Sequence, residues 1–96
     1  MIKVEVNKNI IKISGHADFD NYGKDIVCAS VSSIIYTTIN GILNIQNDTI
    51  KYNDDKDLTI EIISDDILTN KLITNMLDLL KDLEKQYPKN IKVKEN

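Results

Sequence analysis

Apolar and polar residues alternate in two short segments near the start of the chain. In residues 2–6 (IKVEV) the apolar side chains occupy every second position, and residues 10–14 (IIKIS) follow the same rule at Ile11 and Ile13. A period of two is typical of strands that bury one face. The intervening residues 7–9 (NKN) supply turn residues, because asparagine tolerates a positive φ. The pattern predicts a β-hairpin.

The apolar spacing changes to three and four residues after position 25, which predicts a helix that begins near Asp25. Its broad apolar stripe consists of Ile26, Val27, Val31, Ile34, Ile35, Thr38, Ile39, Ile42 and Leu43. Many of these side chains are β-branched, which lowers helix propensity, so we expect burial to stabilise this helix. Gly41 costs helix stability and indicates a close contact or an early helix end.

A second hairpin is predicted from residues 49–52 and 58–63, which flank the polar segment 53–56 (NDDK). The following residues 64–66 (SDD) form an N-cap cluster, with negative charge at the positive end of a helix dipole.

The second helix is predicted to run from this cluster to about Gln86, because Pro88 disfavours helix at Tyr87. Its expected core face consists of Ile67, Leu68, Lys71, Leu72, Met76, Leu79, Leu80 and Leu83. Residues 89–94 then form either a short last strand or an extended tail.

The order of elements is therefore ββαββα, with a possible final strand, in a single domain over residues 1–96. This order is typical of an α+β fold with an antiparallel-rich or mixed sheet. The helices pack either one on each face or both on one face, and the pattern does not fix the strand order.

Composition narrows the classes of function. Apolar residues make up 42% of the chain and charged residues 28%, as in ordinary globular domains. We expect no membrane partner, because no apolar run approaches the roughly 18 residues that span a bilayer. Residues 1–8 alternate and do not resemble a signal peptide, and a single cysteine fits a reducing compartment. The predicted location is the cytoplasm.

The charged residues argue against nucleic acid and metal. All 12 basic residues are lysines and the net charge is −3. Arginine, which is best suited to bidentate phosphate or guanine contacts, is absent, so we expect no direct nucleic-acid binding. A zinc site needs more good ligands than one cysteine and one histidine, and we expect no metal and no cofactor.

The rare residues cluster in positions 14–33, which contain the single His16 and the single Cys28. Cys28 falls in the first turn of the predicted helix, where unpaired N–H groups and the dipole favour a thiolate. His16 lies 12 residues earlier, at the end of the second strand. This placement permits a cysteine–histidine catalytic pair. It equally permits a small buried cysteine and an exposed histidine, so spacing alone leaves both open.

The motif positions favour the catalytic pair. The run Gly15-His16-Ala17, then residues 23–29 (GKDIVCA) and then residues 32–33 (SS) resembles the signature of the ribosomal-processing cysteine protease family Prp. The chain length and the order of elements are similar as well. The resemblance is most specific in the first third of the chain.

The resemblance implies a bacterial cysteine endopeptidase. Its expected role is to remove a short N-terminal extension from large-subunit ribosomal protein twenty-seven during ribosome assembly. The expected partner is therefore the N-terminal segment of a ribosomal protein precursor. The family also implies a homodimer and a three-layer α/β/α sandwich. The alternative is a non-catalytic dimeric module that binds a ribosomal protein or the ribosome.

Carried over position by position, the resemblance implies Cys28 as the nucleophile and His16 as the general base, which later acts as the acid. Asp25 and Ser32 match supporting positions. Asp25 either orients His16 or caps the helix. Ser32 lies one turn after Cys28 and either hydrogen-bonds substrate or thiolate, or packs at a crowded helix contact.

Gly15, Ala17 and Gly23 flank or begin the loop between His16 and Cys28. The match implies that they form a hinge or contact the substrate, and Gly15 and Gly23 are equally compatible with ordinary turn glycines.

Overall fold

The computed structural model of the chain describes residues 1–15 and 26–96. Within these ranges the elements follow the predicted order and include the final strand. Their bounds are β1 Ile2–Asn7, β2 Ile10–Ser14, α1 Ile26–Ile45, β3 Ile50–Asn53, β4 Leu58–Ile62, α2 Ile67–Gln86 and β5 Ile91–Glu95.

The five strands form one mixed sheet in the order β3-β4-β2-β1-β5. All neighbours are antiparallel except β1 and β5, which run parallel, with Val4 aligned to both Ile13 of β2 and Val93 of β5. The α+β class and the mixed sheet are therefore confirmed. In the first hairpin the positive φ of 58° belongs to Lys8, rather than to an asparagine as predicted.

Both helices pack against the same face of the sheet. α1 and α2 contact each other, and their buried residues share one cluster with alternate residues of the strands. The opposite face of the sheet carries exposed side chains, among them Lys3, Lys12 and Glu61. Among the described residues, a single chain thus has two layers and not the three-layer sandwich that the resemblance implied. Each strand alternates apolar and polar residues, so the sheet has only one apolar face to cover.

The core face of α2 differs in part from the prediction. Ile67 is 76% exposed, and Leu68 and Leu79 are exposed as well, whereas Ile73 and Leu77 are buried without having been predicted. The full buried set of α2 is Thr69, Ile73, Met76, Leu77, Leu80 and Leu83. Apolar residues occur on more than one side of α2, so composition alone did not select the side that meets the sheet.

α1 has 20 residues and no charged side chain, so by length and composition it is able to cross a membrane. The prediction that no apolar run approaches that length was therefore wrong. The helix presents a buried stripe to the core, formed by Val27, Val31, Ile35, Ile39 and Ile42. Such a stripe is typical of a core helix, and length and composition alone are weak evidence of a membrane span.

Asp66 caps α2 and links it to α1. Its Oδ2 accepts a hydrogen bond from the backbone N–H of Thr69 at 2.9 Å, and its Oδ1 accepts from Nε2 of Gln46 at 3.0 Å. The predicted N-cap cluster is thus confirmed at Asp66, and α2 ends at Gln86 as predicted. The bond to Gln46 joins the end of α1 to the beginning of α2, so the two helices run in opposite directions.

Candidate active site

Cys28 is the third residue of α1, which confirms the predicted position in the first helical turn. The side chain is half-buried, and the first turn contains no acidic residue. Backbone N–H groups in a first turn have no partner within the helix and carry the positive end of its dipole. Both effects stabilise a thiolate relative to a thiol.

The predicted partner of Cys28 lies outside the described residues. His16, Ala17, Gly23 and Asp25 all fall in residues 16–25, so their proposed roles stay predictions. The structure describes the two ends of this segment instead, namely Gly15 after β2 and Ile26 at the start of α1.

Gly15 and Ile26, which flank residues 16–25, lie at the same end of the sheet. At the end of β4, the N–H of Ile62 donates to the carbonyl oxygen of Asn9 in the β1–β2 turn. The next N–H, of Ile63, donates to the carbonyl oxygen of Thr49, which follows α1. α1 therefore ends near the β1–β2 turn. Because a helix of 20 residues is about 30 Å long, its first turn lies at the opposite end, where β2 finishes. The fold thus places Cys28 at the end of the sheet where β2 finishes at Ser14.

Gly15 has a φ of 84°, and its Cα lies against the backbone of Met1 and Ile2. A Cβ at this position would overlap the carbonyl oxygen of Met1. The positive φ and the close approach both require glycine here. The backbone conformation of Gly15 is therefore constrained by Met1 and Ile2, which favours a structural turn glycine over a freely opening hinge.

Ser32 is half-buried and lies one helical turn after Cys28. Tyr36, one turn further on, was not among the predicted site residues. Its hydroxyl donates a hydrogen bond of 3.2 Å to Oδ2 of Asp54 in the β3–β4 turn. The regular spacing of four residues from Cys28 through Ser32 to Tyr36 is the sequence signal that would have indicated it.

Burial raises the pKa of Tyr36, and the hydrogen bond to Asp54, the negative charge of Asp54 and the nearby Tyr52 raise it further. The phenol is therefore protonated at neutral pH and acts as the donor in the contact with Asp54.

A groove of about 770 Å³ runs between α1 and α2, on the side of α1 away from Cys28. Its lining residues are Ile26, Ala29, Ser30, Ser33, Ile34, Leu79, Asp82, Leu83 and Gln86. Because successive residues are turned by about 100° around a helix axis, the groove-lining residues of α1 face away from Cys28. Within residues 1–15 and 26–96, no group of three or more histidine, cysteine, aspartate or glutamate side chains is arranged to hold a metal ion.

Comparisons of the sequence with family models and with known proteins point to the same family. A family model described as cysteine protease Prp matches residues 1–92. The ribosomal processing cysteine protease Prp of Mycoplasma genitalium is 30% identical over 98 residues, which cover 99% of this chain and 96% of that protein. The protein of the same name from Staphylococcus aureus is 30% identical over 103 residues, which cover 97% of each.

The fold is similar to solved structures that contain peptides. One is the crystal structure of an essential ribosomal processing protease Prp from S. aureus in complex with a covalently linked product peptide. It matches with a TM-score of 0.88 and 28% identity and covers 100% of both chains. A second, in complex with a substrate peptide, matches with a TM-score of 0.83 and 25% identity and covers 99% of this chain and 97% of that chain.

Proposed function

Because the chain belongs to the cysteine protease Prp family, we propose that it is the endopeptidase that removes the N-terminal extension of large-subunit ribosomal protein twenty-seven. Cys28 is the nucleophile in this proposal and His16 is the general base. Relatives in this family are named ribosomal processing cysteine proteases. The related structures with bound peptides support a peptide substrate for this chain.

The observation that carries the proposal is the position of Cys28 in the first turn of α1, within the matched motif. In the first step the thiolate attacks the scissile carbonyl carbon, and the carbonyl electron pair moves to oxygen. Backbone N–H groups at the helix start are suited to stabilise that oxyanion. As the tetrahedral intermediate collapses, protonated His16 gives its proton to the leaving amine, and a thioester with Cys28 remains.

Water completes the reaction. Neutral His16 takes a proton from the water as it attacks the thioester carbonyl. The second tetrahedral intermediate collapses, the Cys28 thiolate leaves beside protonated His16, and the carboxylic acid product gives its remaining proton to solvent. Ser32, one turn along α1, is proposed to hydrogen-bond the substrate or the thiolate, and Asp25 to orient His16 or cap α1.

The proposed setting is a homodimer in the cytoplasm, with no cofactor and no direct nucleic-acid contact. The homodimer is proposed from the family resemblance alone, because the charged outer face of the sheet does not itself require a covering layer. Sedimentation equilibrium of the purified chain tests the dimer, and a single species with the mass of one chain would reject it.

The deciding experiment uses a synthetic peptide that spans the N-terminal extension and the first residues of the mature ribosomal protein. Wild type is expected to cut it at one bond, and both Cys28→Ala and His16→Ala are expected to abolish cleavage. Ser33→Ala, an exposed serine in the α1–α2 groove, is the matched control and should cleave normally.

A second readout reports on the nucleophile without a substrate. A helix-start thiolate paired with His16 should be alkylated rapidly by iodoacetamide at about pH 6, and His16→Ala should slow that reaction. A thiol that titrates near its ordinary pKa of about 8.5 would contradict the pair. Peptide binding without any cleavage would instead favour a non-catalytic binding module.

A further inference from the structure

Cys28, Ser32 and Tyr36 form one flank of α1. Residues four apart are offset by only about 40° around a helix, so the three side chains follow one another along it. All three are half-buried, which places this flank at the boundary between core and solvent. From Cys28 to Tyr36 the helix rises by about 12 Å, the length of three to four extended residues.

The flank faces the β3 edge of the sheet. β3 is the edge strand beside β4, and within the described residues no strand lies outside it. Tyr52 of β3 is 43% exposed and lies on the same side of the strand as the buried Ile50. The other side of α1 is occupied by α2. A peptide that reaches Cys28 along α1 therefore has this edge available.

The contact between Tyr36 and Asp54 joins the far end of this flank to the β3–β4 turn. Long side chains on a helix point toward its N-terminus, so the phenol of Tyr36 covers the turn around Ser32. Its hydroxyl bonds to Oδ2 of Asp54 at 3.2 Å. The β3–β4 turn is thus held against α1 on the Cys28 side.

The same turn is anchored at its sheet side as well. The backbone N–H of Asp55 bonds to Oδ1 of Asn53 at 2.9 Å, and Asp57 pairs with Lys12 of β2 at 3.5 Å. These two contacts are local to the sheet, whereas the bond from Tyr36 ties the turn to the helix of the nucleophile. Loss of that bond frees the turn from α1 without freeing it from the sheet.

We propose that Tyr36, held by Asp54, is a positioning residue that fixes the β3–β4 turn as one wall of the peptide-binding cleft beside Cys28. This inference rests on the proposed function. A wall that is ordered before the substrate arrives spares the complex the entropy cost of ordering it. The contact therefore acts on substrate affinity, while the reactivity of Cys28 depends on the first turn of α1.

The test compares Tyr36→Phe and Asp54→Ala with wild type in steady-state cleavage of the same synthetic peptide. Each variant is expected to raise KM about fivefold, with kcat changed less than twofold, because one charge-assisted hydrogen bond is lost. The rate of Cys28 alkylation by iodoacetamide should stay at the wild-type value. Asp54→Asn keeps an acceptor for the phenol and should restore most of the affinity.

Matched controls remove the same groups elsewhere. Tyr87→Phe removes a phenol hydroxyl at the end of α2, and Asp48→Ala removes an exposed carboxylate between α1 and β3. Both should leave KM unchanged. Urea unfolding of each variant separates a lost contact from a lost fold.

Three results would overturn the inference: an unchanged KM in Tyr36→Phe, a fall in alkylation rate parallel to the fall in cleavage, or an Asp54→Asn variant whose KM is as high as that of Asp54→Ala.

If wild type does not cleave the peptide, the proposed function fails, and a binding experiment tests the inference separately. Fluorescence anisotropy would then compare peptide affinity of Cys28→Ala with that of Cys28→Ala/Tyr36→Phe. Equal affinities would reject a positioning role.

Discussion

Gly15 lies against the carbonyl oxygen of Met1, so the chain leaves β2 through a contact with the residue that precedes β1. The contact works only without a side chain, because Gly15 also has a φ of 84°. The backbone at Gly15 is therefore constrained by a residue fourteen positions earlier in the sequence.

Gly15→Ala is expected to lower the free energy of unfolding by about 1–3 kcal/mol, because the methyl group meets Met1 and the backbone conformation is strained. Urea denaturation measures the change. Gly41→Ala is the control, since nothing lies within 4 Å of a Cβ built at Gly41 in α1. It should stabilise the protein by about 0.5–1 kcal/mol through helix propensity, and similar destabilisation by both variants would contradict the role given to Met1.

Thr69→Val should destabilise the protein by about 1–3 kcal/mol, since it leaves a buried hydroxyl without its partner. Thr69 Oγ1 donates to Thr49 Oγ1 at 2.8 Å, and the two residues are 2% and 1% exposed. The double variant Thr49→Val/Thr69→Val should regain part of that loss, because both hydroxyls are then gone. Calorimetric unfolding of wild type, both single variants (Thr49→Val and Thr69→Val) and the double variant gives the coupling. Strict additivity would show that the hydroxyls do not depend on each other.

The cap at Asp66 should make stability depend on acid pH. The backbone N–H of Thr69 lowers the pKa of Asp66, and the amide of Gln46 contributes in the same direction. The stabilisation is present above the unfolded pKa of about 3.9 and is lost as pH falls through the lower folded value. The stability difference between wild type and Asp66→Ala should therefore shrink below about pH 4 in urea titrations. A difference that stays constant down to about pH 2 would contradict a charged cap.

Ser32→Ala should lower kcat/KM by about tenfold if the hydroxyl bonds the substrate or thiolate. Ser33→Ala, one residue further and turned toward the α1–α2 groove, should retain wild-type kcat/KM. If Ser32→Ala instead lowers unfolding stability and leaves kcat/KM intact, the packing interpretation of Ser32 is correct.

Local patterns predicted most of the fold. The hairpins and the ends of α2 follow from short-range rules, and Asp66 and Pro88 mark those ends in the sequence. The side of α2 that meets the sheet did not follow, since Leu79 and Leu80 are equally apolar neighbours, and only packing against α1 and the sheet distinguishes them. The pattern also left open whether both helices cover the same face, because a period of two shows that one face is apolar and not how many helices pack on it.

In the candidate site, too, local spacing predicted some features and tertiary contacts determine the others. The position of Cys28 in a first helical turn depends on local spacing and is confirmed. The bond from Tyr36 to Asp54 joins residues 18 apart on separate elements. No local pattern predicts such a pair, since it arises only once β3 and β4 lie beside α1.

The parallel pairing of β1 with β5 also affects how the chain folds during synthesis. Ile2 aligns with Ile91 and Val6 with Glu95, so the first strand gains its second neighbour only when the last has been made. Contacts between residues so far apart in sequence are slow to form and leave an edge open in the meantime. A nascent chain that still lacks residues 91–95 therefore exposes one side of β1 to other strands. The open side of β1 is therefore covered only after residue 95 has been made.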